Sequence, residues 1–554
     1  MSDLLKSASL VMIPSGYKED TVFSAIPSDG SGDLSFTRAS NGTRINSAGL
    51  VEDCPWNLCT YSEELNIWTT ERASVTTNAT TAPNGTTTAD KVITDSTANT
   101  THQIYIGPFT TQNLPMVISC YAKKSEYNYI HLGAGGASTK TWFNLNDGTV
   151  RTQSSDVLSA SIENVGNGWY RCINVINNTI TSNYVEFGPA SVDGSRVISG
   201  TPSGGIFAWG AQLNIGSTAK PYFPTTDRLN VPRLTYQNGG GGCPSLLLEK
   251  QSTNLIEYSN CISAFAFAGT FTASATTSPE GVSNAFSFLV NAGQNGGLSF
   301  ITLTTSAQSY TFSAYLKGSV NGQKVKLYGD LNGTIEEFTL TTDWVRYTKT
   351  FTGSVGAQSL YLLNGSYFTP SQNNLYYGYG FQLEVSSYAT SLIPSNGASA
   401  TRVADACSKT GISSLLGQTE GTIFIDVENN ETEGACIIST NAGTGSGSHI
   451  YIGQNNNNLA LYIRDSFTYS VLESNIANII GRKKIALAYG ASFARIYMNG
   501  TQIYNSTSAV IPSGLDRIEM NNFVSTDIGS VKFNEVVYFK TKLTNSELAS
   551  LTTI

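Results

Sequence analysis

Aromatic residues near turns are the side chains of this sequence best placed for chemistry with a ligand. Tyr127, Tyr129 and Trp142 fall in one stretch, and Tyr376, Tyr377 and Tyr379 in another. An exposed ring can stack on the apolar side of a pyranose while neighbouring amides and carboxylates hydrogen-bond its hydroxyls. Gln454-Asn455-Asn456-Asn457-Asn458 is an unbroken run of side-chain amides, each a donor and an acceptor. It can meet sugar hydroxyls or form the solvated tip of a hairpin. Two carboxylates roughly 5 to 10 Å apart could instead cleave a glycosidic bond. Asp330, Glu336 and Glu337, beside an expected strand and turn, are the candidates for that.

Other chemistries find little footing. The three histidines, His102, His131 and His449, lie far apart and sit in no hydrolase, kinase or zinc-protease motif. Cys54 and Cys59 have the spacing of a metal half-site, but no second close pair or nearby His completes it. Gly239 to Gly242 is not followed by Gly-Lys-Ser/Thr, so it reads as a connector rather than a phosphate loop. The cysteines form no tight framework and are expected to be mainly reduced core residues. With no metal motif and no catalytic histidine arrangement, no cofactor is expected.

The 554 residues carry a net charge of −8 and no basic run, which argues against a nucleic-acid partner. No apolar stretch is long enough for a membrane span, and the start of the chain lacks a secretory pattern; synthesis in a cytoplasm is expected. Charged residues make up only 13 %, while Gly, Thr, Ser and Asn are abundant. That mixture suits many short strands joined by tight turns. At this length three or four domains are expected.

The chain repeats itself. Asn57-Leu58 and Tyr61-Ser62 return as Asn254-Leu255 and Tyr258-Ser259, an offset of 197 residues. Ala79 to Gly85 returns at offset 196, Ser119 to Lys123 at 194, Gly168 to Arg171 at 175, and Gly210 to Leu213 at 170. Offsets that only shrink are those of a duplicated domain with deletions in its second copy. Trp169 and Trp344 recur at matched positions and are expected in the core, so binding residues are sought among aromatics that do not recur. The expected division is an N-terminal attachment or oligomerisation arm over 1–48, a first copy over 49–228, a connector strand and second copy over 229–402, and a final domain over 403–554. In the last, Asn499-Gly500 predicts a type I′ hairpin, and Thr544 with Glu547 a capping box opening a short helix. Leu246 to Leu248 is expected to be a strand packed on the second copy.

The repeated motifs around Ser119–Lys123 and Ser313–Lys317, with Gly168-Trp169-Tyr170-Arg171 and Gln212-Leu213, resemble jelly-roll carbohydrate-binding modules. Residues from about 415, through Gly421-Thr422-Ile423-Phe424 and Arg495 to Gly500, resemble a laminin G-like, concanavalin-type lectin sandwich. The arrangement from Leu10-Val11-Met12 onward is similar to tail-fibre, tail-spike and head-fibre proteins of tailed bacteriophages. The fold class expected is therefore all-β, with multidomain antiparallel sandwiches: two jelly rolls plus a concanavalin-like sandwich. The resemblance implies a virion component that binds other virion proteins and host cell-surface carbohydrate without catalysis. It further implies a homo-oligomer, with a trimer among its forms. A purely architectural spacer and a capsule depolymerase are the alternatives. Lectin-like relatives often hold Ca²⁺, for which Asp465 and Asp527 lie in expected loops.

Overall fold

The computed structural model describes residues 3–110, 114–178, 182–237, 240–365, 374–429, 437–440, 447–520 and 529–554. Strands dominate, and the antiparallel sandwiches expected from composition and turn spacing are found. The chain divides into two compact units: 55–228 with 281–283, and the remainder.

The first unit is one jelly roll of two six-stranded antiparallel sheets. Met116–Lys124 lies inside one sheet, between Trp169–Ile176 and Gly205–Ile215. Tyr129–Ala134 lies inside the other, between Thr141–Asn144 and Ser182–Ala190. Alternation sends Ile118, Cys120, Leu132 and Phe187 into a common core.

The second unit contains the other copy, two five-stranded sheets in the same order. Ser309–Gly318 lies between Val345–Thr352 and Asn374–Glu384. Gln323–Gly329 lies between Gly333–Leu340 and Gly356–Gly365. The insertion carrying Thr149–Gln153 and Val157–Gly166, which adds one edge strand to each sheet of the first roll, has no counterpart here. Its absence accounts for the fall in offset from 194 to 175.

The recurring residues form a duplicated polar frame. Asn57 is buried, donates to the carbonyls of Ala211 and Phe223 at 3.1 and 2.9 Å, and accepts from the amides of Cys59 and Leu213. Asn254 does the same with Phe381 and Ile393 at 3.0 and 3.1 Å, and with Ile256 and Leu383. Trp169 Nε1 donates to the Thr81 carbonyl and Trp344 Nε1 to that of Thr277, both at 3.0 Å. Gly210 (φ 63°) and Gly380 (φ 64°) take left-handed backbone where each strand bulges against Ser119 and Ser313, a conformation that costs a Cβ-bearing residue.

The final sandwich also lies in the second unit, and it recruits distant chain. Val531–Phe539 pairs along one edge with Gly421–Asn429. Its other edge takes Ser245–Leu248 in its first half and Leu10–Met12 in its second. In the opposite sheet Leu34–Thr37 pairs with Ala406–Thr410. Leu10–Met12 and Leu34–Thr37, within the segment expected as an arm, are thus strands of this sandwich, and Leu246 and Leu248 pack in its core, while Leu247 lines a cavity shared with Pro279 and Trp344 of the second copy. Each segment is too short to bury its own apolar face and acquires a core only by pairing. The Asn499-Gly500 hairpin and the capped helix Asn545–Thr552 form as expected. Gly240 and Gly241 take left-handed backbone in a tight turn, where a Cβ on Gly240 would meet the Gly49 nitrogen and the Ser47 carbonyl oxygen at 2.5 Å.

Where these segments converge, charges are buried together. Arg38 donates to Asp405 at 2.9 Å, Arg233 to Glu249 at 2.6 Å and also to Asp405, and Arg402 lies 3.0 Å from Glu249. Burial alone would raise the Glu249 pKa, but Arg402 and Arg233 hold it well below the usual carboxylate range. Removing one partner would strand a buried charge, a loss of about 3–5 kcal/mol.

Candidate functional site

The expected site residues do not gather in one place. Tyr127 and Trp142 are buried in the first roll: Tyr127 Oη accepts from the Thr201 amide at 3.2 Å, and Trp142 Nε1 donates to the Ser195 carbonyl at 3.1 Å. Tyr129 is half-buried at the start of its strand. In the second roll Tyr376 lies in the core among Phe286 and Phe288. Tyr379 is also buried, in a separate cluster with Val51 and Leu392, because the bulge at Gly380 shifts which alternate residues face the core. The rings of these four buried residues are closed to a sugar, correcting the expectation that non-recurring aromatics are exposed. Tyr377 is half-buried, with Lys317 Nζ 5.0 Å from its centroid and 5.1 Å from that of Trp344.

Gln454 is buried, and Asn456 (φ 47°) and Asn457 (φ 71°) are the two turn residues between paired strands. Asn455 accepts from Asn456 Nδ2 at 3.0 Å. The amide run is therefore a hairpin turn, consistent with the tolerance of Asn for left-handed backbone.

A different group of rings does converge. In Gln323–Gly329, Val325 and Leu327 point into the core while Lys326 and Tyr328 point out. In Gly356–Gly365, Leu360 and Leu362 point in, and Tyr361 points out beside Tyr328. Lys326, Tyr328 and Tyr361, with Phe267, Asp330, Thr334 and Leu363, line an open cleft of about 400 Å³ on the sheet face. Tyr361 stands edge-on to Phe267, centroids 6.1 Å apart, and 6.4 Å from Tyr328; its hydroxyl donates to Asp330 at 3.3 Å. Rings, a carboxylate, an ammonium group and a hydroxyl share one concavity, as recognition of a polar ring with an apolar face requires. The sequence signal is the alternation of Lys326-Leu327-Tyr328, which is weaker than the run of aromatics in the strand Asn374–Glu384.

The corresponding face of the first roll is filled. His131 and Glu186 occupy the ladder positions of Lys326 and Tyr361. Gln103 donates to Glu71 at 2.9 Å and its carbonyl oxygen lies 3.3 Å from His131 Nε2. Lys140, completely covered, pairs with Glu186, which Arg196 also approaches at 3.3 Å. Burial pushes the Lys140 pKa down to about 8 against the opposing pull of Glu186. The segment carrying Ser195 and Arg196 is held over this face by Trp142, Glu186 and the pairing of Val197–Ile198 with Thr100–Thr101.

Of the expected carboxylates, Glu337 pairs with Lys324 at 2.6 Å and Glu336 with Lys349. As consecutive strand residues they face opposite ways; only Asp330 reaches the cleft. Asp465 accepts from Ser448 at 3.0 Å, and Asp527 lies outside the described residues. His102 bridges the carbonyls of Arg72 and Thr97 at 2.6 and 3.0 Å, a structural role. Of the described cysteines, all but Cys243 are buried, and none is bonded to another.

No family model matches the sequence, and no curated protein matches it. Among solved structures, the chain is similar to the CBM40 module of Ruminococcus gnavus IT-sialidase bound to α2,3-sialyllactose, at 14 % identity over 26 % of this chain and 91 % of that one, TM-score 0.22. It is also similar to Trypanosoma rangeli sialidase in complex with the inhibitor DANA (11 % identity, 87 % and 98 %, TM-score 0.20). A third is the LG1-3 region of the laminin alpha2 chain (9 %, 81 % and 97 %, TM-score 0.14). Likenesses this distant carry no argument about ligand or activity.

Proposed function

We propose that this chain is a non-catalytic, carbohydrate-binding structural protein of a tailed-bacteriophage particle, which adheres to host surface glycans through the second jelly roll. The observation that carries the binding reading is the open shelf of Phe267, Tyr328 and Tyr361 flanked by Asp330 and Lys326. The virion setting rests on the resemblance of the sequence to phage fibre proteins. Tyr328→Ala and Tyr361→Ala proteins, compared with the parent on glycan arrays and host cells, test the reading. Each substitution is expected to weaken binding about tenfold, which is about 1.4 kcal/mol. Retention of full binding by the double variant removes the shelf from the function. Virions lacking the protein should adsorb poorly; normal adsorption favours an architectural spacer. Release of reducing ends from host polysaccharide would make it a depolymerase instead.

A further inference from the structure

We propose that the insertion 149–166 of the first roll supplies a self-association edge: Val157–Gly166 pairs antiparallel with the same strand of a second copy of this chain, about a two-fold axis at Ser161.

The first reason is that the fold does not need this insertion. The second roll keeps the same frame and the same strand order and closes without it. What the insertion adds to this sheet of the first roll is a new outer strand, paired on one side with Trp169–Ile176 and, among the described residues, with no strand on the other.

The second reason is how the two edges are dressed. An open strand edge invites pairing with another chain, and charged residues are a common guard. The second roll's edge, Val345–Thr352, carries Arg346 and Lys349. Val157–Gly166 is longer, contains Glu163 as its one charged residue and no proline, and exposes Leu158 (55 %) and Val165 (41 %). Bulges near its two ends leave Ser159 to Asn164 as a regular stretch, in which Glu163 is the one guarding charge, and that stretch is suited to a partner strand.

The third reason is self-complementarity. Val157, Ala160 and Ile162 pack against the core of their own roll, so a partner strand must keep its inner face on the same side. Centred on Ser161, the pairing of the regular stretch Ser159 to Asn164 sets Ala160 opposite Ile162, both facing the core side. Glu163 falls opposite Ser159, so no like charges face each other. The two inner faces then line up as one continuous sheet across both copies, an isologous contact that closes on itself.

The test uses the full chain with Cys243→Ser, which removes the exposed thiol. Sedimentation at tens of micromolar should show self-association, weakened at least tenfold by Ile162→Lys. Replacing 149–166 by a short turn should abolish it, and that variant should keep the parent's circular dichroism, since the second roll folds without the element. Under mild oxidation Ser161→Cys should form an intermolecular disulfide, whereas Ala160→Cys should not. A monomeric parent, or association unchanged in both the Ile162→Lys and the 149–166 replacement variants, overturns the proposal. Cross-linking at 160 rather than 161 overturns the register.

Discussion

The two jelly rolls share a frame and differ in what they do with one sheet face and one edge. In the first, the face is packed with Gln103, His131, Lys140 and Glu186 under a tethered segment, and the edge of the other sheet is extended by the strand Val157–Gly166. In the second, the face is open and aromatic, and the edge is shorter and carries cations. Residues that recur therefore specify the fold, and residues that do not recur divide between different cores and different surfaces. Non-recurrence is necessary for a specialised site but does not identify one, which is why Trp142 and Tyr376 were attractive in sequence and are buried in structure.

The strongest test of a shared frame is Asn57→Ala against Asn254→Ala. Each asparagine satisfies two carbonyls and two amides at the same point of its roll, and each is fully buried. Truncation leaves several buried groups unpaired, at roughly 1–3 kcal/mol apiece. Each variant should lose about 3 kcal/mol, with the transition of its own roll shifting in denaturant melts followed by domain-specific probes. A loss in one copy only would mean the repeated motif has diverged in role.

Next in size is a pH effect confined to the first roll. The buried Lys140 has its pKa lowered to about 8 by desolvation, from a reference of 10.5. A lowered lysine pKa means the unfolded chain binds more protons between these values, so stability should rise as pH increases through that window. Below pH 8 the full penalty of burying the charge applies, on the order of 3 kcal/mol for a shift of this size. Parent and Lys140→Met proteins melted from pH 7.5 to 10.5 should differ in slope only for the first roll. Parallel slopes would show that Glu186 neutralises the cost of burial.

A smaller contrast separates the paired tryptophans. Both indoles donate to matching carbonyls, but Trp169 is 1 % exposed whereas Trp344 is half-buried, its ring approached by Lys317. Trp169→Phe should cost about 2 kcal/mol and Trp344→Phe about 1 kcal/mol, since the second loses the same hydrogen bond but less packing. Equal losses in thermal melts would place the value of this residue in its hydrogen bond alone.

Much of this architecture was legible because it is written locally. Asn499-Gly500 demands left-handed backbone at two residues and so announces its hairpin; Thr544 and Glu547 announce a helix start. The duplication exposed the frame even though no single motif explained it. The role of Leu10–Met12 and Ser245–Leu248 was not legible, because strand pairing across hundreds of residues leaves no trace in the short segment that pairs. The shelf was hidden for a related reason. Phe267, Tyr328 and Tyr361 come from three strands, and only the cross-strand register brings their rings together.

That register makes the last comparison the sharpest on function, though the smallest in energy. If the open face binds glycan, Tyr361→Ala should reduce affinity about tenfold while leaving stability nearly unchanged, since the ring is half-exposed and core packing belongs to its neighbours Leu360 and Leu362. His131→Ala, at the corresponding face of the first roll, should do the reverse: its ring is wholly buried under a tethered segment, so it should destabilise its roll without affecting binding. Calorimetric titration with the best glycan from the array, set beside melts of both variants, reads the two effects separately. A binding loss from His131→Ala at unchanged stability would mean that the covered face opens to ligand, and that the difference between the rolls is one of access rather than of chemistry.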